Sequence, residues 1–188
     1  MAFTAFYDAS VLYPAPLRDV LLRLALTDLY RAKWSAQVHA EWMETLLRDR
    51  SDLTRQQLER TRQLMDAHVR DCLVEDFEGL IDALHLPDPN DRHVLAAAIR
   101  GQADVIVTRN LRDFPADALI PYGIAAQHPD TFIIHLLDLN PGAVVGAARE
   151  HRASLRHPPK DVEEYLSTLE RQGLTQTAAE LRGYASVL

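Results

Sequence analysis

The chain has 188 residues and 21.2 kDa, the size of one ordinary domain or of a domain with a small addition. Apolar residues make up 47% and charged residues 25%, a balance that excludes wholesale disorder. The net charge of −7 lies wholly in residues 61–148, which excludes a nucleic-acid binder that works by blanket positive charge.

No apolar run is long enough to cross a bilayer. The N-terminal Met-Ala-Phe-Thr-Ala-Phe-Tyr-Asp lacks the basic region of a secretory signal. Cys72 is the single cysteine and cannot form an internal disulfide, which fits a reducing, cytoplasmic setting. Of the 20 basic residues all but Lys33 and Lys160 are Arg. That suits phosphate contacts and equally fits a GC-rich coding bias.

In chain order, Phe3–Tyr7 predicts an aromatic-rich strand that ends at Asp8. Pro16 suits a helix start, and Leu17, Val20, Leu21 and Leu24 recur at helical spacing, predicting a helix over 16–31. Ser35 is placed to cap a helix with Val38, Trp42, Thr45 and Leu46 on one face. Ser51 or Asp52 is expected to open a further helix with Leu58, Met65, Val69 and Cys72 inward, and Phe77–Leu84 predicts a weak helix. Leu86-Pro-Asp-Pro-Asn90 predicts a turn, and Asn90 a cap for a helix over Asp91–Arg100 that Gly101 stops.

Asp104–Thr108 is the clearest strand, a β-branched run suited to burial on both faces. A further strand is expected near 119–126 and a helix over 131–138. Beyond Asn140-Pro-Gly142 come helices over 143–154, 161–172 and from Thr175, with no strand signal. The order predicts an α/β fold with a parallel sheet core over residues 1–138 and a helical appendage over 139–188.

Four acids stand out by position. Asp8 and Asp113 follow strands, where parallel sheets gather ligands, though each also reads as an ordinary turn or loop acid. Glu41 lies on or beside the apolar face of its helix, where a carboxylate is paired, metal-bound or reaches past the edge to solvent. Asp91 falls in a first helical turn, which favours the ionised form with or without an active site, and Asp88 competes with it. In a parallel sheet the four can converge on one rim. Crowded carboxylates cannot all stay ionised without cations, and hard divalent ions suit oxygen donors.

Three ordered segments and the Glu41 helix make the chain resemble a PIN-domain protein of the VapC toxin type. The segments are Phe6-Tyr-Asp-Ala-Ser-Val-Leu-Tyr-Pro14, Leu86-Pro-Asp-Pro-Asn-Asp-Arg-His-Val-Leu-Ala-Ala-Ala98 and Val105-Ile-Val-Thr-Arg-Asn-Leu-Arg-Asp-Phe114. The resemblance implies a three-layer α/β/α fold and an endoribonuclease dependent on Mg2+ or Mn2+, leaving a 5′-phosphate and a 3′-hydroxyl. It also implies neutralisation by a cognate antitoxin and dimerisation by family habit.

Carried over by position, the metal ligands would be Asp8, Glu41, Asp91 and Asp113. One version of the motif has Asp directly after Thr-Arg, where this chain has Asn110. The resemblance therefore favours Asp113, with Asn110 as an orienting amide. Thr108 and Ser10 are candidates to hydrogen-bond the carboxylates, or are plain strand-end hydroxyls. Arg92, Arg109 and Arg112 are candidates to grip RNA, or a solvated surface. His93 adjoins Asp91, but helix neighbours point about 100° apart, so it is not read as a base.

Two other readings remain open. One is a non-catalytic PIN-like interaction module. The other is a haloacid-dehalogenase-type phosphatase, which expects a second Asp where this chain has Ser10.

Overall fold

A computed structural model describes residues 2–188. The elements in order are β1 (Phe3–Tyr7), α1 (Ala9–Leu12), α2 (Ala15–Ala25), β2 (Tyr30–Lys33), α3 (Ala36–Asp49), α4 (Arg55–His68), α5 (Arg92–Arg100), β3 (Val105–Val107), α6 (Ala116–Leu119), β4 (Ala125–Gln127), α7 (Pro129–Leu139), α8 (Pro141–Ser154), α9 (Val162–Arg171) and α10 (Thr175–Arg182). Short 3-10 turns occupy Glu78–Ala83, Pro89–Asp91, Leu111–Asp113, Ile120–Tyr122 and Ala185–Val187.

The fold is α/β: a four-stranded, wholly parallel sheet in the order β2-β1-β3-β4, flanked by helices. Val105, Ile106 and Val107 are all buried, as a β-branched run inside a parallel sheet must be. The order reverses between β1 and β3: β1 leads by α1 and α2 to β2 on one side, and β3 leads by α6 to β4 on the other. Such a switch point opens a crevice at the carboxyl ends of the two strands. The register pairs Tyr7 with Val107, so Asp8 and Thr108 come next, side by side. The Asp8 N–H still bonds the Val107 carbonyl at 3.1 Å.

The chain divides into two compact units. The first runs up to Tyr13 and resumes over Tyr30–His128, so it holds the whole sheet with α3 to α6. The second joins Pro14–Leu29 to Pro129–Leu188 and is all helical, with α2 packed on α8 and α9 and with α10 against α7 and α9. The expected division at 138/139 falls at the last residue of α7, inside this second unit. Here α10 lacks a capping side chain of its own. The buried Asp130 carboxylate on α7 accepts the N–H groups of Gln176 and Thr177 at 2.9 and 2.8 Å instead.

Several expected elements shift. The helix expected over 16–31 ends at Ala25; Asp28 turns left-handed at φ 59°, and Tyr30–Lys33 forms a fourth strand. That strand has one neighbour, so Arg31 is exposed beside buried Tyr30 and Ala32, and four residues of mixed character carry little strand signal. Near 119–126 helix and turn take up most of the length, and Gly123, at φ 69°, redirects the chain into β4.

Helix α4 starts at neither Ser51 nor Asp52 but behind Thr54, whose hydroxyl accepts the Gln57 N–H while the Gln57 side chain answers on the Thr54 N–H. The turn before α5 is capped by Asp88, which accepts the Asn90 N–H at 2.9 Å, rather than by Asn90. Ser35 caps α3 as expected, accepting the Val38 N–H at 3.2 Å.

Candidate metal centre

A pocket of about 680 Å³ opens at the switch point, lined by Asp8, Ser10, Tyr13, Glu41, Trp42 and Asp91 together with Arg109 and Asn110. Each acid arrives on a different element. Asp8 follows β1 as the N-terminal residue of α1, yet its carboxylate makes no capping bond and is left for the pocket. Glu41 comes from α3, Asp91 from the turn that opens α5, and Asp113 from the turn after β3.

Asp8 is buried, and one of its oxygens is held twice. The Ser10 and Thr108 hydroxyls both donate to Oδ2, at 2.6 and 2.8 Å. Each hydroxyl also accepts a backbone N–H: Ser10 from Arg109 and Thr108 from Asn110, both at 3.0 Å. Because an ionised carboxylate oxygen only accepts, each hydroxyl directs its proton to Asp8 while one of its lone pairs takes the backbone N–H. Two backbone groups thus fix the rotors that fix the carboxylate.

Asp91 sits in the opposite condition. Its carboxyl is pushed up to about 7, first by burial and then by the negative charges of Asp8, Asp113, Asp88 and Glu41. All four expected acids, with Asp88, therefore share one electrostatic neighbourhood. Asp113 acts on it through charge and is not among the residues lining the pocket.

Among the described residues, however, no three His, Cys, Asp or Glu side chains close tightly enough to hold an ion. Asp8, Glu41 and Asp91 share the pocket, Asp113 stays outside its lining, and the acids stop short of a common point. Asp8 is held by two hydroxyls and Asp88 accepts the Asn90 N–H, while Glu41 has His93 beside it, Nε2 standing 2.6 Å from Oε1. The donor set fits a hard divalent cation. It consists of carboxylate oxygens in a polar pocket, one of them raised to about 7 by burial first and by its charged neighbours after that.

Of the other expected residues, Arg109 lines the pocket, while Arg92 Nε donates to the Pro89 carbonyl at 3.0 Å and Arg112 is exposed outside the lining. Asn110 enters the network through its backbone N–H rather than its amide. Sequence reasoning passed over His93 because it cannot reach Asp91, and it does not; its ring turns to Glu41 on the neighbouring helix. The available signal was a polar ring within His93-Val-Leu-Ala-Ala-Ala98, a stretch that is buried throughout.

A second polar cluster stands behind the pocket. Trp42 Nε1 donates to His39 Nδ1 at 3.0 Å, so His39 carries its proton on Nε2 and donates it to Asp66 Oδ1 at 2.9 Å. Burial holds the His39 ring below the usual imidazole range, which keeps it neutral. Trp34 Nε1 also reaches Asp66 Oδ1 at 2.8 Å, and Arg62 Nη1 reaches Oδ2 at 3.0 Å. This cluster ties α4 to α3 and so fixes the helix that presents Glu41 and Trp42.

Comparison with known proteins divides the chain near residue 128 as the structure does, but assigns 14–29 to the first part. A PIN domain model matches residues 4–112, and a model described as the VapC50 C-terminal domain matches residues 129–183. A Mycobacterium tuberculosis (strain ATCC 25618 / H37Rv) protein named "Putative ribonuclease VapC50" is 46% identical over 92 residues, covering 49% of this chain and 54% of the relative. The match thus spans about half the length of that relative. No solved structure matches the chain at a significant level. Among the described residues, no helix is long and apolar enough to cross a membrane. With more than half of its length matched by the PIN domain model, a VapC-type relative, and a C-terminal extension of its own kind, the chain belongs to the PIN-domain family.

Proposed function

We propose that the chain is a divalent-metal-dependent endoribonuclease, the toxin of a toxin–antitoxin pair, that hydrolyses RNA phosphodiester bonds with Mg2+ or Mn2+. The observation that carries this reading is the gathering of Asp8, Glu41 and Asp113 around Asp91, whose carboxyl burial and then like charge lift to about 7. An arrangement that costs stability in the free protein is sustained by something that binds it.

Asp8, Glu41, Asp91 and Asp113 would hold the ion. When bound, it supplies Lewis-acid stabilisation of charge on the phosphate and lowers the pKa of a water. The chain's own groups do the rest. Ser10 and Thr108 keep Asp8 in one rotamer, Arg109 offers a guanidinium to a backbone phosphate at the pocket, and the side chain of Trp42 walls one side. No Ser or Cys nucleophile is called for. The C-terminal helices, of which the VapC50 C-terminal domain model matches 129–183, would serve contacts with a cognate antitoxin or a second copy of the chain.

The test is incubation of the full chain with defined RNAs, with and without Mg2+ or Mn2+, beside Asp8→Asn. We expect cleavage only with metal, ends carrying 5′-phosphate and 3′-hydroxyl, and a loss of at least 100-fold in the variant. Pure Asp8→Asn protein with full activity, or cleavage undiminished in chelator, overturns the reading. Growth arrest on expression, relieved by the protein of a neighbouring gene, tests the toxin role separately.

A further inference from the structure

Glu41 and His93 come from different helices, α3 and α5, and meet behind the pocket. The His93 side chain is 2% exposed and that of Glu41 39%, so the ring lies on the protein side of the carboxylate. Nε2 stands 2.6 Å from Glu41 Oε1 without the alignment of a hydrogen bond, and neither ring nitrogen has an aligned partner elsewhere.

The ring's proton can be placed from this. A neutral imidazole with its proton on Nδ1 would leave that N–H buried and unpaired, and would also set the Nε2 lone pair against a carboxylate oxygen. Both cost free energy. With the proton on Nε2 the carboxylate oxygen faces a donor instead of a lone pair, and only the Nδ1 lone pair is left buried without a partner.

Asp8 supplies the parallel. There two hydroxyls hold Oδ2 and neither holds Oδ1. His93 likewise stands against one oxygen of Glu41, by proximity rather than by an aligned bond. Donors behind a carboxylate that fix one oxygen and leave the other are how outer groups orient metal ligands.

We propose that His93 is a positioning residue: its Nε2–H holds one oxygen of Glu41 so that the other is presented to a divalent cation in the pocket. This rests on the pocket being a divalent-metal site. His93 is not a base toward Asp91 or toward substrate.

Manganese titration of the metal-free full chain, with bound ion followed by electron paramagnetic resonance, tests it without reference to activity. His93→Leu should weaken manganese binding about 10- to 100-fold. His93→Gln keeps an N–H donor and should stay within about threefold of wild type, by the same reasoning. In a Glu41→Gln background His93→Leu should change affinity no further, because the carboxylate it positions is gone. Wild-type affinity in folded His93→Leu, or an equal loss in both backgrounds, overturns the positioning role.

Failure of wild type to bind manganese in a manner lost with Asp8→Asn sinks the metal-site reading, and this inference with it. Binding by wild type that His93→Leu leaves intact sinks only the inference. Should His93→Leu not fold, ring-nitrogen resonances of the wild-type protein decide. A proton on Nε2 of His93 supports the proposal, and a ring protonated on Nδ1 alone overturns it.

Discussion

Asp66 and Asp91 lie in the same unit, both partly withdrawn from solvent, and they are supported in opposite ways. Asp66, with a side chain 16% exposed, receives donors from Trp34, His39 and Arg62. Asp91 faces Asp8, Asp113, Asp88 and Glu41, and its carboxyl rises to about 7. A carboxylate with donors around it is scaffold; one withdrawn from water among like charges is held at a cost in the free protein. The two are linked, because the Asp66 cluster anchors the helix that carries Glu41 and Trp42 to the pocket.

The contrast is sharpest in stability. Asp66→Ala strips the acceptor from an indole N–H, an imidazole N–H and a guanidinium, two of them on side chains with little access to water. We expect a loss of about 2–4 kcal/mol in chemical denaturation. An unchanged midpoint would show that Asp66 is no scaffold and would dissolve the comparison.

Asp91→Asn should do the reverse. In chelator, the variant removes a charge that its neighbours oppose. We expect a gain of about 1–2 kcal/mol at pH 8, kept small because the site is half open to screening solvent, together with loss of RNA cleavage. The sign with pH follows from the folded value of about 7 against the ordinary 3.8. Between them the native state keeps a proton that the unfolded chain has released, so wild-type stability from this group falls as pH rises.

The variant's advantage is therefore nil below about pH 4, grows up to about pH 7 and is level above it. Millimolar Mg2+ should cancel it by stabilising wild type more than the variant. Thermal melts across pH, with chelator and with Mg2+, read both. A variant less stable than wild type at pH 8 in chelator would mean that Asp91 is supported by groups other than its charged neighbours.

The difference between these two carboxylates also marks what the sequence can tell. Asp8, Asp91 and Asp113 were legible because strand ends and helix starts are written locally: Phe3–Tyr7 and Val105–Val107 carry strand patterns, and Pro87 and Pro89 fix the turn before α5. Asp66 was invisible. It lies in a polar helix, and apart from Arg62 one turn back its partners, Trp34 and His39, are 32 and 27 residues away, brought to it by tertiary packing. Tyr30–Lys33 was missed because four mixed residues become a strand only by pairing with β1. That α2 sides with the C-terminal helices is likewise a fact of packing, since its apolar periodicity names a buried face and not what covers it.

The smallest expected effect separates support from chemistry at Asp8. Thr108→Val keeps the shape and burial of the side chain, removes one of two donors to Oδ2, and leaves the Asn110 N–H without its acceptor. The Ser10 hydroxyl still holds the same oxygen. Cleavage should fall about tenfold, far less than with Asp8→Asn, and stability by about 1 kcal/mol. Thr108→Ser restores the hydroxyl and should recover most of both. If Val lowers stability but not the rate, Thr108 belongs with Asp66 among the scaffold groups. If Val and Asp8→Asn are equally inactive, the Thr108 hydroxyl touches the reacting groups directly, because losing one of two parallel braces cannot cost as much as losing the carboxylate they brace.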